Sequence, residues 1–405
     1  MKQVSTSIVI LLIRTETKIK VINREERRKI VVTCAPRILP MLTEEIISLG
    51  FKINKSDHLS IETEGTFDDT MYLNLHLRTA NKVLYHIKSF RAPHPDILYK
   101  EVHKIDWQDY MRSDGYMSIN GYVKNDYIKD TRFANVRVKD AIVDKMQQVK
   151  GRRPDSGPDQ SKTMIYIHWK LDQVSIYIDT SGETISKHGY RKMPYKAPMS
   201  ESLAAATILI SKWDKKSSFI NPMCGSGTLA IEAALLAIDK APGLMRDNFG
   251  FMHVSLYDER VWEKYKKEAE DKIKDSIDFK IIASDNSNLA LIAAKANAES
   301  AQVDHLIEFE QSDFKECTVP EMPGVIFMNP EYGLRLGEEK ELEAVYSEIG
   351  DFFKKRGKGY TGYIFTGNLD LAKKVGLKAK RRIEFYNAKI DARLLEYELY
   401  AGTKK

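Results

Sequence analysis

In the second half of the chain, short unbroken apolar runs alternate with longer stretches of helical spacing. Phe219 to Asn221, Lys280 to Ser284, Ile307 to Gln311, Val325 to Met328 and Gly362 to Thr366 are five such runs. Runs of that length, separated by amphipathic stretches, predict buried parallel strands with crossover helices, an α/β doubly wound sheet. The segment from Arg381 to Tyr400 predicts two further strands around Asn387-Ala388-Lys389, an antiparallel hairpin that closes the sheet.

The first half is patterned differently. Ile30-Val31-Val32-Thr33 predicts a strand, and Arg37 to Ile47 a helix that Gly50 ends in the C′ position. Leu73 to Leu84 has apolar residues at helical spacing and predicts a second helix. Tyr116 to Val123 alternates as a strand, and Thr131 to Met146 predicts a long amphipathic helix with basic residues interleaved. Met164 to Trp169 and Gln173 to Asp179 predict a hairpin around Lys170-Leu171-Asp172. Lys150 to Asp159 is an exposed basic loop, and Lys187 to Lys192 a linker. The pattern divides the chain into a flexible lead-in (1–29), two small α/β units (30–95 and 96–186) and the doubly wound unit (187–405).

Composition is that of an ordinary soluble globular protein. The net charge of +6 is unevenly spread: residues 1–195 carry 32 Lys and Arg against 24 Asp and Glu, and the remainder 31 against 33. A basic front half on a near-neutral α/β half suggests a polyanion reader joined to a catalytic module. The three cysteines lie far apart, and the nine histidines show no ligand spacing. We therefore expect a reducing cytoplasm, no disulfide framework and no metal. The apolar run Ile8 to Ile13 is too short for a membrane span and lacks a small-residue cleavage site, which argues against export and against a membrane.

Two turns carry the candidate chemistry. After the first strand, Asn221-Pro222-Met223-Cys224-Gly225-Ser226-Gly227-Thr228 passes into an Ala/Leu-rich helix. Gly225 and Gly227 permit positive φ and bring backbone close to a ligand, while the helix start aims free N–H groups at the same space. Asp285, directly after the second strand, is placed to accept from a ribose diol, or else to cap a helix. The long insertion between Gly227 and Asp285 exceeds the spacing of about 20 residues expected for a nicotinamide fold and argues against a dehydrogenase. Asp313, after the third strand, is either an acceptor for an adenine amino group or a plain turn residue. After the fourth strand comes Asn329-Pro330-Glu331-Tyr332. It resembles the Asn-Pro-Pro-Tyr loop of amino-directed S-adenosylmethionine methyltransferases. The Asn329 side chain and the Pro330 carbonyl can accept both hydrogens of a planar amine and localise its lone pair, and Tyr332 can stack on the ring.

With these motifs the chain resembles the THUMP-domain RNA guanine-N2 methyltransferases, nearest the bacterial branch that modifies large-subunit ribosomal RNA. Arg78-Thr79-Ala80-Asn81, Thr131-Arg132-Phe133-Ala134, Asp140 to Asp144, Gly151 to Pro154, His188 to Arg191, Thr366-Gly367-Asn368 and Asp391 to Leu395 carry that resemblance in order. It implies a ferredoxin-like domain and a THUMP domain ahead of the methyltransferase domain. It also implies S-adenosyl-L-methionine as cofactor, bound by Asn221, Pro222, Cys224, Gly225, Gly227, Thr228, Asp285 and Asp313. Asn329, Pro330 and Tyr332 would hold the target guanine. The partner would be structured RNA, 23S rRNA first and tRNA second, contacted by Arg132, Arg137, Lys139, Arg152, Arg153 and Arg191. The protein would act as a cytoplasmic monomer. Glu331 departs from the family's proline, and a catalytically weakened RNA-binding assembly protein is the alternative it raises. A DNA-adenine or protein-glutamine methyltransferase would share the loop but leave the basic front half unexplained.

Overall fold

The computed structural model describes residues 24–125, 128, 130–196, 198–333 and 339–400. The apolar run Ile8 to Ile13 lies outside them. The front half runs β1 (Arg28–Cys34), α1 (Leu39–Ser48), β2 (Lys55–Ser56), β3 (Ser60–Gly65), α2 (Phe67–His76), β4 (Ala80–Arg91), α3 (Pro95–His103), β5 (Tyr116–Lys124), α4 (Thr131–Lys150), β6 (Asp155–Ser156), β7 (Thr163–Lys170) and β8 (Gln173–Asp179). The second half runs α5 (Glu201–Ser211), β9 (Ser218–Pro222), α6 (Thr228–Ala237), α7 (Glu259–Glu270), β10 (Ile281–Asp285), α8 (Asn288–Ala301), β11 (Ile307–Gln311), β12 (Gly324–Met328), α9 (Glu339–Arg356), β13 (Thr361–Thr366), α10 (Leu369–Lys374), β14 (Arg381–Asn387) and β15 (Ile390–Glu398).

The front half forms one sheet of eight strands in the order β2-β3-β1-β4-β8-β7-β5-β6. Its two α/β units are joined by antiparallel pairing of β4 with β8, from Leu84 opposite Asp179 to Arg91 opposite Gln173. The back sheet runs β11-β10-β9-β12-β13-β15-β14, parallel through β13 and closed by the antiparallel β14–β15 hairpin. Phe219, Phe327 and Tyr363, one from each of β9, β12 and β13, stack with ring centroids 5.0 and 4.4 Å apart. That column fixes the spacing of the central strands from within the core.

Two expectations need correction. The helix predicted over Leu73 to Leu84 ends at His76, and β4 begins at Ala80. The backbone N–H groups of Arg78 and Thr79 turn aside to the buried Glu45 carboxylate at 2.8 and 3.0 Å, and Val83 to Tyr85 pair with the central strand β1. Long-range pairing overrides a local helical period here. The lead-in ends earlier than residue 29, because Arg24 donates to Asp258 at 2.6 Å and to Asp68 at 2.9 Å, and β1 starts at Arg28.

His188, placed by the sequence in a linker, is 0% exposed and joins the two halves. Its Nδ1 meets Glu232 Oε1 on α6 at 2.8 Å, and its Nε2 meets the Arg78 carbonyl at 2.9 Å. Arg78 in turn donates through Nη2 to the Lys240 carbonyl at 2.6 Å. Both ring nitrogens face acceptor oxygens, an arrangement that favours the doubly protonated imidazolium. Burial alone pushes His188 down, but Glu232 and the Arg78 carbonyl outweigh it and leave the pKa above the ordinary 6.5. A raised folded pKa means that the pair's stabilisation is complete below the unfolded value and is lost as pH rises through the folded one. In denaturant melts, the chain is therefore expected to lose stability as pH rises from 6.5 through the raised folded pKa of His188. His188→Gln should remove that slope and cost about 3–5 kcal/mol, the usual range for leaving one buried partner unpaired. A wild-type stability that is flat with pH, or a variant of equal stability, contradicts this account of the joint.

Candidate functional site

Strand order reverses between β9 and β12, which pair side by side, and in a doubly wound sheet a ligand crevice opens beyond the carboxyl ends at that point. After Pro222, which ends β9, the backbone takes positive φ at Met223, Gly225 and Gly227. Gly227 is the N-cap of α6 and supplies no side-chain cap, so the first-turn N–H groups, starting with Thr228, are left for another acceptor. A Cβ built on Gly225 would meet nothing within 4 Å, whereas one on Gly227 would lie 3.0 Å from Ala294 Cβ. Gly225 thus faces open space and Gly227 faces packed helix.

Asp285 ends β10 with one carboxylate oxygen 3.0 Å from the Gly225 nitrogen and the other 2.9 Å from that of Ser287. Ser287, not Asp285, caps α8. Asn221 is buried, and its Nδ2 donates to the Phe327 carbonyl at 2.8 Å, tying β9 to β12. Asn221 Oδ1 and Ser312 Oγ are buried at this carboxyl edge without a hydrogen-bond partner among the described residues. Orphaned polar atoms of this kind are rare in native interiors and fit a site made for a polar ligand. Burial pushes the Cys224 thiol up, so it stays neutral. Asp313 accepts from the Lys315 backbone at 2.9 Å and is half exposed, the posture of a turn residue in this structure.

A strap from Arg191 to Lys196 runs along this edge. Arg191 donates to Ser226 Oγ at 3.0 Å, Thr228 Oγ1 at 3.1 Å and Glu201 at 3.2 Å. Its guanidinium is therefore committed to the glycine turn rather than to a surface. Asn297 anchors the strap through the Lys192 and Met193 N–H groups, and the Tyr195 hydroxyl reaches Ser287 Oγ at 3.0 Å.

Lys196 then crosses to the loop after β12, where its Nζ meets Glu331 Oε1 at 2.6 Å. In that loop the Tyr332 hydroxyl donates to Asn329 Oδ1 at 2.8 Å. The Tyr346 hydroxyl holds the Glu331 carbonyl at 3.2 Å, and Asn368 Nδ2 holds the Tyr332 carbonyl at 3.1 Å. Burial keeps the Tyr332 phenol neutral by pushing its pKa up. Gly367 makes room for the ring, since a Cβ there would sit 3.0 Å from Tyr332 Cδ2. The structure thus brings the glycine turn, Asp285 and the Asn329 loop to one edge.

The other basic candidates lie apart from this edge, on α4 and the loop after it. Arg132 pairs with Asp130 at 2.7 Å, Arg137 with Asp96 at 2.9 Å, Lys139 with Asp140 at 3.0 Å and Arg153 with Asp144 at 2.9 Å. Arg152 makes no ion pair among the described residues and is exposed. Lys196 and Tyr346, which reach the loop, and Tyr195 and Ser287, which tie the strap to the start of α8, escaped sequence reasoning because only the fold brings them to this edge. Asn368 had a local signal, as the last residue of Thr366-Gly367-Asn368. Among the described residues no cluster of metal-ligating side chains occurs, and no helix is long and apolar enough to cross a membrane.

A family model for the RMKL-like methyltransferase domain matches residues 188–396, just over half of the chain. The chain belongs to the RMKL-like methyltransferase family. Ahead of that domain, models for an RlmL ferredoxin-like domain and a THUMP domain match residues 29–84 and 94–179. The large-subunit ribosomal RNA methyltransferase K/L of Syntrophotalea carbinolica is 32% identical over 381 residues, 92% of this chain but 53% of that protein, so the chain spans about half of its length. A Synechocystis sp. protein carrying an RNA-methyltransferase name is 30% identical over 91% of this chain and 96% of its own. The crystal structure of SMU.472 complexed with SAH superposes with a TM-score of 0.83 at 28% identity, covering 94% of this chain and all of that one.

The two glycines of the turn should differ in what a methyl group does to them. Gly225→Ala should cost only the left-handed strain of about 1–2 kcal/mol. Gly227→Ala adds crowding against Ala294 and should cost about 1–3 kcal/mol more. Urea melts of the two variants test this, and equal stabilities contradict the packing described.

Proposed function

We propose that the chain transfers a methyl group from S-adenosylmethionine to the N2 amine of a guanosine in structured RNA, with large-subunit ribosomal RNA as the first choice. The observation that carries this reading is the side-by-side arrangement of two unlike ends on adjacent strands. One is an uncapped helix start behind Gly225, backed by Asp285, and the other is the Asn329 loop. The SAH found in SMU.472 and the names of the K/L and Synechocystis relatives supply the donor and the RNA.

The residues present fit that donor. Its carboxylate suits the free N–H groups at the start of α6, its ribose hydroxyls suit Asp285, and the orphaned Asn221 Oδ1 and Ser312 Oγ are polar atoms awaiting partners. When bound, it supplies a methyl group on an electrophilic sulfonium. Asn329 Oδ1 and the Pro330 carbonyl accept the hydrogens of the target amine and turn its lone pair toward that methyl group. The proton lost after transfer passes to water, because the methylated amine is briefly acidic. The strap from Arg191 to Lys196 braces the turn, and the front half holds the RNA. We take its domains as ferredoxin-like followed by THUMP, and the protein as a cytoplasmic monomer.

Glu331 bears on the alternative of a catalytically weakened assembly protein. Its carboxylate is paired with Lys196, so the loop gains a tether where the family has a ring-stiffened backbone. That compensation favours a working enzyme. Nucleoside mass spectrometry of large-subunit ribosomal RNA incubated with the protein and donor should show N2-methylguanosine. Asn329→Ala should lower the rate on the order of a hundredfold or more, with donor affinity unchanged. Product on adenine, or on no base of this RNA, overturns the proposal.

The rim pair gives a separate expectation. Both side chains are well exposed, so breaking the pair should cost no more than about 1 kcal/mol of stability. Lys196→Ala leaves an unpaired carboxylate facing a polyanion and should weaken RNA capture a few-fold. Glu331→Pro should keep or raise the rate. A large rate loss in Glu331→Pro, with donor affinity intact, would show that the carboxylate takes part in the transfer.

A further inference from the structure

The reaction loop has a contact from the far end of the sheet that its own sequence does not announce. Asn387, the last residue of β14, sends its Nδ2 to within 3.5 Å of the Tyr332 hydroxyl. That hydroxyl is 2.8 Å from Asn329 Oδ1. A phenol carries one proton, and a side-chain NH2 group can only donate. With the Asn387 amide oriented as in this structure, NH2 toward the phenol oxygen, the phenol spends its own proton on Asn329.

The direction of that chain matters because an asparagine amide has nearly the same shape when flipped, and only its hydrogen bonds decide which end faces where. A flipped Asn329 would present NH2 to an amine that has hydrogens of its own to donate. The Tyr332 hydroxyl, as a donor, permits only the orientation with Oδ1 toward it. The amide oxygen has a second lone pair, which stays available for the target amine.

The backbone of Asn387 is set by the hairpin. It pairs with Ile390 across the hairpin turn, where Ala388 takes φ 53°. Arg37, from the front half, clamps the same hairpin: it lies 2.5 Å from Asp391, 3.4 Å from Glu384, and its guanidinium sits 4.3 Å over the Tyr386 ring. Ile390 also lines the slot beside Gly367 that receives the Tyr332 ring.

We infer that Asn387 is a positioning residue for methyl transfer, which holds the Tyr332 hydroxyl so that the hydroxyl fixes the Asn329 amide with its oxygen toward the target amine. The inference rests on the proposed role of Asn329, and it assigns the closing hairpin a part in the reaction centre. The 3.5 Å contact lies at the long end for a hydrogen bond, as bonds at reaction centres commonly do before substrate arrives.

Asn387→Asp tests the direction of the chain. An ionised carboxylate accepts the phenol proton and takes it away from Asn329, whereas a protonated one donates as the amide does. The kcat of Asn387→Asp, measured by methyl transfer to RNA, should therefore be lowered roughly ten- to hundredfold above the carboxyl pKa and recover as pH falls through it. Wild type and Asn387→Ala should lack that step, and Tyr332→Phe/Asn387→Asp should lose it. Tyr332→Phe alone should lower kcat roughly five- to tenfold with donor affinity unchanged, the size of one neutral hydrogen bond. An Asn387→Asp rate that follows the wild-type pH profile overturns the inference, as does a step that persists in the double variant. If Asn329→Ala still transfers methyl groups at the wild-type rate, the proposed function itself fails. If Asn329→Ala is inactive while Tyr332→Phe and Asn387→Asp behave as wild type, only the role of Asn387 fails.

Discussion

The buried contact of His188 with Glu232 ties the front half directly to the helix that starts at the site. Glu232 lies one helical turn into α6, and α6 begins at the glycine turn. The other side of the imidazole grips the Arg78 carbonyl, in the loop that leads into the central front strand β4. One buried ring therefore ties the front sheet to the first turns of α6. Buried ion pairs are expensive to desolvate and often add little net stability, so their value lies in specifying one arrangement. Here the arrangement specified is that of the front sheet against the helix that begins at the glycine turn. Arg37 provides a second tie between the halves, at the hairpin that carries Asn387.

The same frugality with unpaired charge marks the front surface. The sequence carries an excess of eight positive charges there, yet Arg132, Arg137, Lys139 and Arg153 each lie within 4 Å of an acidic neighbour. Paired cations release fewer counterions when they meet phosphate, because part of their charge is already answered. On the proposed function, RNA bound here would meet a surface whose charge is largely answered already, with exposed Arg152 in no ion pair among the described residues.

Most of the back half was open to sequence reasoning because its strands are short, apolar and bounded by turn residues. Its two chemical turns also fall at strand ends, where ligands bind in this sheet. The front half was harder. Leu73, Leu75 and Leu77 satisfy a strand alternation as well as they do a helical spacing, and only Glu45 and β1, far away in sequence, decide where α2 stops. His188 looked like part of a polar linker, and its burial depends on Arg78 and Glu232, neither of which is a sequence neighbour. Arg191 was grouped with surface cations by its charge, but its partners Ser226 and Thr228 place it behind the glycine turn. Asn387 had no local signal at all, since its partner Tyr332 is 55 residues earlier in the chain.

The central claim is that Gly225, Asp285 and the Asn329 loop form one site for a sulfonium donor and a planar amine. Titration calorimetry with S-adenosylhomocysteine, on the wild-type chain and on Asp285→Ala, tests it most directly. The account predicts binding of one molecule per chain and at least a tenfold weaker affinity in the variant, as expected for losing a charge-assisted bond to the ribose (about 1.5–3 kcal/mol). No binding to the wild-type chain, or equal affinity in the variant, would contradict it.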